Sequence, residues 1–124
     1  MDIKQTQDVQ NSLAPAARTA SANGSGVDLA NFASATVAFV VGTITDGTHT
    51  PSVEESDDNS TFTAVAAADL IGTLAALASN TNQRVGYRGS KRYLRAVSTV
   101  AGATTGGVYA AVVIRGDGRK QPTA

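Results

Sequence analysis

The stretch ATVAFVVGTI, residues 35–44, constrains the fold of this chain more than any other. It is rich in β-branched and aromatic side chains, which suit the pleated surface of a strand and lose conformational freedom in a helix. Apolar residues occupy both sets of alternating positions, with Val37, Phe39 and Val41 on one face and Ala38, Val40 and Ile44 on the other. GVYAAVVIRG, residues 107–116, shows the same pattern. A strand that is apolar on both faces needs cover on both. We therefore expect one face to meet a second sheet and the other to meet a neighbouring subunit.

Turn signals separate the remaining extended stretches. Asn-Gly-Ser-Gly at 23–26 and Asp-Gly at 46–47 are typical of turns. The stretches between such signals predict an edge segment that tolerates Pro15, followed by further short strands, over residues 14–21, 50–56, 61–66, 83–89 and 91–100. The leucine spacing in residues 69–80 would suit a short helix, but Gly72 and the surrounding β pattern favour extended structure. Short strands at this spacing predict an all-β fold, a single β-sandwich or jelly-roll-like domain of about seven or eight strands.

The two ends of the chain are polar and aperiodic. They predict a flexible N-terminal arm over residues 1–15, a β-sandwich domain over 16–117 and a C-terminal tail over 118–124. The N-terminal residues lack the apolar core of a signal peptide, and no apolar run approaches the roughly 18 residues that span a membrane. We therefore expect a soluble chain, made in the cytoplasm and without a membrane partner.

Alanine supplies 22 of the 52 apolar residues, and there is no tryptophan and no cysteine. Burying a Val, Leu, Ile or Phe side chain contributes about 1.5–3 kcal/mol, whereas an alanine has little side chain to remove from water. A domain with so few large side chains gains from burying further surface against copies of itself, so the composition favours an oligomer. The lack of cysteine excludes disulfides, a thiolate nucleophile and a zinc–thiolate site.

The net charge is zero, but the two signs are segregated along the chain. Residues 1–83 hold two basic and nine acidic side chains, a net charge of −7. Residues 84–124 hold eight basic side chains and one acidic side chain, a net charge of +7. Such asymmetry indicates either contact with nucleic acid or complementary faces that meet between or within subunits.

The basic charge is concentrated in RVGYRGSKRYLR, residues 84–95, where it is interleaved with two tyrosines. Arginine beside aromatic rings is a recognised device for binding single-stranded nucleic acid. On two strands, however, these basic side chains would divide between opposite faces, which disfavours a continuous nucleic-acid groove. We interpret them as solvated or intersubunit ion-pairing residues. The predicted partner-binding residues are Arg84, Arg88, Lys91, Arg92 and Arg95, together with Pro15 and Arg18.

The stretch EESDDNSTFTAV, residues 54–65, holds four carboxylates. A calcium loop spaces its ligands as D-x-[DN]-x-[DN]-G with a distal glutamate, and that spacing is missing here. Glu54 and Glu55 are adjacent, so on a strand they point to opposite faces. We interpret the stretch as a tight turn between two strands, with the backbone amides satisfied by Asp57, Asp58, Asn59 and Ser60. A weak cation site is the alternative.

The sequence contains few residues and no motif typical of a catalytic site. His49 is the only histidine, and no partners for a general base surround it, so we predict a surface position at the end of a strand. There is no G-x-S-x-G elbow, Walker A loop or dinucleotide-binding G-x-G-x-x-G. We predict a protein that is not an enzyme, with no catalytic, cofactor-binding or metal-binding residues and no cofactor.

Three motifs carry a family resemblance: TDGTHT at 45–50, EESDDNSTFTAV at 54–65 and GYRGSKRYLR at 86–95. In them the chain resembles a group of short proteins from tailed phages and prophages that are encoded among the head genes. The resemblance covers about residues 16–117. It implies a β-sandwich structural protein of the phage particle, such as a head decoration (cement) protein.

The implied partners are copies of the chain itself, as a homotrimer, and the major capsid protein. The implied location is the capsid surface of the virion, and the host cytoplasm during assembly. The arm at 1–15 would lie extended along a capsid subunit. Two alternatives stay open: a head–tail joining or head-fibre component, and a carbohydrate-binding β-sandwich. Three phenylalanines and three tyrosines without tryptophan are few aromatic platforms for a sugar.

Overall fold

A computed structural model describes residues 7–30 and 32–118, and strands make up most of that part of the chain. The ten strands in that part of the chain are β1 (Asp8–Arg18), β2 (Ala22–Asn23), β3 (Val27–Asp28), β4 (Phe32–Ile44), β5 (Thr48–Ser56), β6 (Thr63–Ala64), β7 (Leu70–Ile71), β8 (Asn82–Tyr87), β9 (Tyr93–Ala101) and β10 (Gly107–Gly118). A short 3-10 turn at Ala67–Asp69 precedes β7. The predicted all-β sandwich is confirmed. The strand number exceeds the predicted seven or eight because four strands have only two residues, too few to show an alternating pattern.

The strands form two antiparallel sheets. The first sheet has the order β1-β10-β4-β8-β7. The second has the order β2-β9-β5-β6, and β3 also pairs with β9. The chain crosses from one sheet to the other after β1, β3, β4, β6, β8 and β9, so the two sheets share one core. The predicted hairpin of residues 50–56 and 61–66 is confirmed as β5 and β6, although β6 is shorter than predicted.

The core lies between the inner faces of the two sheets. From β4 it receives Val37 and Phe39, both fully buried, and from β10 Ala111 and Val113. Alanine supplies a small part of this interior, although it is the commonest apolar residue of the sequence: of the core residues only Ala35, Ala96 and Ala111 are alanines, and valine is the most frequent. One apolar face of the strands at 35–44 and 107–116 therefore meets a second sheet, as expected.

Strand β1 begins within the segment 1–15 that was predicted to be a flexible arm, so that prediction is wrong for its second half. Residues 8–15 do not form an arm, because β1 pairs with β10 from Asp8 to Arg18. Ser12 and Leu13 are both buried although they are neighbours, since an irregularity in the pairing between Asn11 and Leu13 turns both side chains inward. The strand is the edge of the first sheet, as predicted for the segment around Pro15. Residues 1–6 of the arm and 119–124 of the tail lie outside the described residues.

Residues 69–80 do not form a helix. After β7 the chain runs as a loop against the end of the sandwich, where Leu77 is buried in the core. The Leu77 amide donates to the His49 carbonyl at 2.8 Å. The Gln83 side chain holds the loop by accepting from the Ala75 amide at 2.8 Å and donating to the Ala75 carbonyl at 3.0 Å. The leucine spacing thus reflects a loop that packs on the core.

Candidate interaction surfaces

Most of the basic side chains in residues 84–95 form ion pairs with acidic side chains of the same chain. Lys91 forms an ion pair with Asp57 at 2.8 Å, and Arg92 binds both carboxylate oxygens of Asp28 at 2.8 and 2.9 Å. The Arg92 guanidinium lowers the pKa of Asp28, and the Asp57 carboxylate raises the pKa of Lys91. These ion pairs are exposed and contribute little to stability. They nevertheless neutralise the charges of Lys91 and Arg92, which a nucleic acid or another partner would need.

Two further arginines are more deeply engaged. Arg95 donates to Glu54 across the β5–β9 pair and lies over the Phe62 ring at 4.0 Å. Arg115 pairs with Asp8, donates to the Asp28 carbonyl at 2.8 Å and lies 4.4 Å from the centre of a phenylalanine ring, that of Phe32. In all four ion pairs between described residues, a base from the second half of the chain meets an acid from the first half. The segregated charges therefore meet within one chain.

The other predicted partner-binding residues do not join these into one surface. Arg84 is exposed on β8, and its side chain forms no hydrogen bond or ion pair with the described residues. Arg88 is also exposed, and its guanidinium reaches the Ala68 carbonyl at 3.4 Å. Pro15 and Arg18 lie on β1, with two strands between them and β8. Arg18 donates to the Ala14 carbonyl at 2.5 Å.

The acidic stretch forms the predicted turn between β5 and β6, but of the four predicted acceptors only Asp58 is seen to bind backbone amides, and Ser56 supplies the other acceptor. The Ser56 hydroxyl accepts from the Asp58 and Asn59 amides, both at 3.1 Å. The Asp58 carboxylate accepts from the Ser60 and Thr61 amides at 2.9 and 3.0 Å. Asn59 has φ 60°, a left-handed conformation that asparagine tolerates in turns. In the described part of the chain, no group of three His, Cys, Asp or Glu residues could hold a metal ion.

A second carboxylate, Asp46, holds together two loops at one end of the sandwich. It accepts from the backbone amides of Thr104, Thr105 and Gly106, at 3.0, 3.1 and 2.7 Å. These amide donors, Gly106 first, lower the pKa of Asp46, as the Thr61 and Ser60 amides lower the pKa of Asp58. Sequence reading identified Asp46 only as part of an Asp-Gly turn, because its partners are 58 to 60 residues away.

These two carboxylates should make the fold sensitive to acid. A carboxyl whose pKa is lowered on folding stabilises the fold above its ordinary pKa of 3.8, and this stabilisation is lost as the pH falls through the lowered value. We expect the free energy of unfolding to fall below about pH 4. Carboxyl-detected NMR titration should place the midpoints of Asp46 and Asp58 below 3.8. Midpoints at or above 3.8 would contradict the hydrogen bonds described.

His49 is buried, so the predicted surface position is wrong. Its side chain is 1% exposed, and its Nδ1 lies 3.0 Å from the Tyr109 hydroxyl while its Nε2 lies 3.0 Å from the Asp46 carbonyl oxygen. The signal was present in the alternation of β5, where His49, Pro51 and Val53 share the inner face. The histidine therefore joins the two sheets by a buried hydrogen bond.

The two outer faces of the sandwich differ in character. On the second sheet the central pair of strands presents Thr50 opposite Thr99 and Glu54 opposite Arg95, a polar face. On the first sheet, β4 and β10 present small and apolar side chains instead, with Val40 49% exposed and Val108 47% exposed. The second apolar side predicted for these two strands therefore faces outward. That a neighbouring subunit covers it stays a prediction.

The aromatic side chains are poorly placed to bind a sugar. Phe39, Tyr87 and Tyr109 are buried, and burial together with the Glu55 carboxylate raises the pKa of Tyr87. The other three rings each lie beneath an arginine, with Arg95 over Phe62, Arg115 over Phe32 and Arg92 over Tyr93. None of the six rings is exposed as a flat platform. Among the described residues there is also no helix long and apolar enough to cross a membrane.

Comparison with known proteins identifies the fold. No family model matches the chain, and no curated protein matches its sequence. Among solved structures, the PBSX exported protein XepA matches 100% of this chain with a TM-score of 0.62 and 20% identity. The chain spans 41% of XepA. The SPBc2 prophage-derived protein YomS matches over 87% of this chain and 94% of its own length, with a TM-score of 0.51 and 18% identity. The β-sandwich described above is thus similar to the folds of XepA and of the prophage-derived YomS.

Proposed function

We propose that this chain is a non-enzymatic structural protein of a phage particle. Within the particle, we propose a decoration protein that binds the assembled head as a homotrimer and stabilises contacts between subunits of the major capsid protein. The observation that carries the proposal is the sandwich shared with the PBSX exported protein XepA and the prophage-derived protein YomS. It adds to the three motifs that resemble products of phage head genes.

The state of the ionisable side chains supports a role in contact rather than catalysis. His49 is buried against Tyr109, and the Tyr87 hydroxyl donates to Glu55 at 2.6 Å. Among the described residues, four of the seven basic side chains are bound to acids of the same chain, which also weakens the case for nucleic-acid binding. The outer face of the first sheet offers a partner an apolar surface, which includes Val40 and Val108.

Binding to heads tests the proposal directly. Heads purified from a strain that lacks this gene should retain the added protein on cosedimentation, at a copy number close to that of the major capsid protein. They should also survive a higher temperature once the protein is bound, since a ligand stabilises the state to which it binds. The protein left in the supernatant, with head stability unchanged, would contradict the decoration role. A small fixed number of copies per head would instead favour the head–tail joining alternative.

To test the contribution of the arm, a truncation must leave β1 intact. Deleting residues 1–15 would remove Ser12 and Leu13 from the core, so loss of binding would then only report misfolding. Deleting residues 1–6 leaves β1 whole. We propose that these residues add contacts along a capsid subunit, and we expect weaker retention on heads after their deletion, since tethered contacts multiply. Unchanged retention would remove the arm from the proposal.

A further inference from the structure

The first sheet carries the large apolar side chains that stand in water. Among the described residues, the well-exposed large hydrophobic side chains are 47–58% exposed, and they are Val9, Val40, Ile71 and Val108. They come from four strands of this one sheet, β1, β4, β7 and β10. Monomeric proteins rarely leave a contiguous apolar patch of more than a few hundred Å² in water, and larger patches mark interaction sites.

The strand register places these side chains in a continuous outer face. Residues opposite one another on paired strands share a face, and successive residues along a strand alternate between faces. Since Val37, Val85 and Val113 point into the core, their neighbours point outward. Three neighbouring rows result: Val9, Ile114, Thr36, Gly86 and Ile71; Asn11, Val112, Ala38 and Arg84; and Ala110, Val40 and Asn82.

Arg84 is the only charged residue in these three rows. Its side chain has no ion-pair or hydrogen-bond partner among the described residues, whereas Arg95 on the outer face of the second sheet is paired with Glu54. A charge that is buried without a partner is costly. A protein that covers this face must therefore offer an acceptor to Arg84, and a carboxylate is the strongest partner for a guanidinium.

A second copy of the same face does not offer that acceptor. Two copies placed face to face would bring two arginines and no acid into the contact, because the three rows contain no Asp or Glu. A contact between identical faces also closes as a twofold pair, which does not agree with the homotrimer proposed above. The charge on this face therefore favours a different protein as its partner.

We propose that the outer face of the first sheet docks on a subunit of the capsid shell, against an apolar surface that presents a carboxylate to Arg84. This inference rests on the proposed function and deepens it, since it names the surface and the charge that make the contact. The size of the face fits. Four strand spacings by about eight residues of strand give roughly 500 Å² in projection, and the pleated accessible surface is larger. Each partner in a specific interface buries about 600–1,000 Å².

A charge placed within the face tests the inference on heads purified from a strain that lacks this gene. Val40→Asp should lower the affinity for heads by about tenfold or more, because it puts a carboxylate into an apolar contact. Thr99→Asp is the matched control, since it adds the same charge at an exposed position of the second sheet, and it should bind as wild type does. Sedimentation without heads should give one and the same mass for all three proteins. Circular dichroism checks that the variants keep their strands.

Two replacements of Arg84 test the predicted carboxylate. Arg84→Glu should lower the affinity for heads by about tenfold or more, because it places two acids opposite one another. Arg84→Lys keeps the positive charge and should stay within a few-fold of wild type. A side chain that only shaped the surface would not separate these two variants in this way.

Photocrosslinking identifies the partner. The chain has no cysteine, so an Asn82→Cys variant can carry a single photoreactive label at this face. On heads, it should yield one chain joined to the major capsid protein. The same label at Thr99→Cys, on the second sheet, should yield no such product.

Four outcomes would overturn the inference: a folded Val40→Asp variant that binds heads as wild type does, an Arg84→Glu variant that does the same, a change of oligomer mass in Val40→Asp, or a label at residue 82 that joins only two copies of the chain. Any of these, with the wild-type protein bound to heads, leaves the proposed function standing. A wild-type protein that does not bind heads would overturn the proposed function and this inference together.

Discussion

Replacing Phe39 by alanine should lower the free energy of unfolding by about 3–5 kcal/mol, the usual cost of deleting a buried phenylalanine. The ring is 0% exposed at the middle of β4, and its neighbour in the register on β10 is Ala111. Short alanine side chains reach poorly into a void, so the cavity should stay open. The free energy of unfolding of a whole domain is about 5–15 kcal/mol, so this one ring accounts for a large share of the stability.

Urea unfolding at a fixed chain concentration measures the effect, since self-association would otherwise change the apparent stability. Phe62→Ala is the matched control: its ring is half-buried and lies under Arg95 at 4.0 Å instead of between the sheets. We expect less than half the loss in that variant. An equal loss in the two variants would show that the interior does not depend on its few large side chains.

Replacing Ser12 by alanine should cost about 1–3 kcal/mol, because it leaves buried polar groups unsatisfied. The Ser12 hydroxyl donates to the Ser25 carbonyl at 2.9 Å and accepts from the Ala96 amide at 2.8 Å. It therefore ties edge strand β1 of the first sheet to β9 of the second. Gly24 makes room for this contact, since a Cβ there would collide with the hydroxyl of Ser12.

Ser21→Ala is the control, because the Ser21 hydroxyl accepts from the Val100 amide in an exposed place where water can replace it. Its loss should be smaller than that of Ser12→Ala. Hydrogen exchange adds a local readout: the Ala96 amide should exchange faster in Ser12→Ala, as expected where a buried amide loses its acceptor. If the two alanine variants unfold at the same urea concentration, Ser12 does not bridge the sheets.

The candidate surface was predictable only in part. Alternation alone predicts that Val40 and Val112 face away from Val37 and Val113, because side chains on a strand point to opposite sides in turn. It does not say that Val9 and Ile71 join them, since β1 fell in a predicted arm and β7 has two residues. The sequence also did not predict that the Arg84 side chain lacks an ion-pair partner. Lys91 and Arg92 belong to the same basic stretch, and both are paired.

Local sequence is enough to predict the features that depend on near neighbours along the chain, which are the strands with alternating faces and the Asp58 turn. These follow from side-chain geometry and hydrogen bonds that span a few residues. Features that depend on distant partners become visible in the folded chain alone. Ser12 meets Ala96 across 84 residues and His49 meets Tyr109 across 60. Such contacts form when strands far apart in sequence are brought together by burial of the core, and no local pattern encodes which polar group meets which.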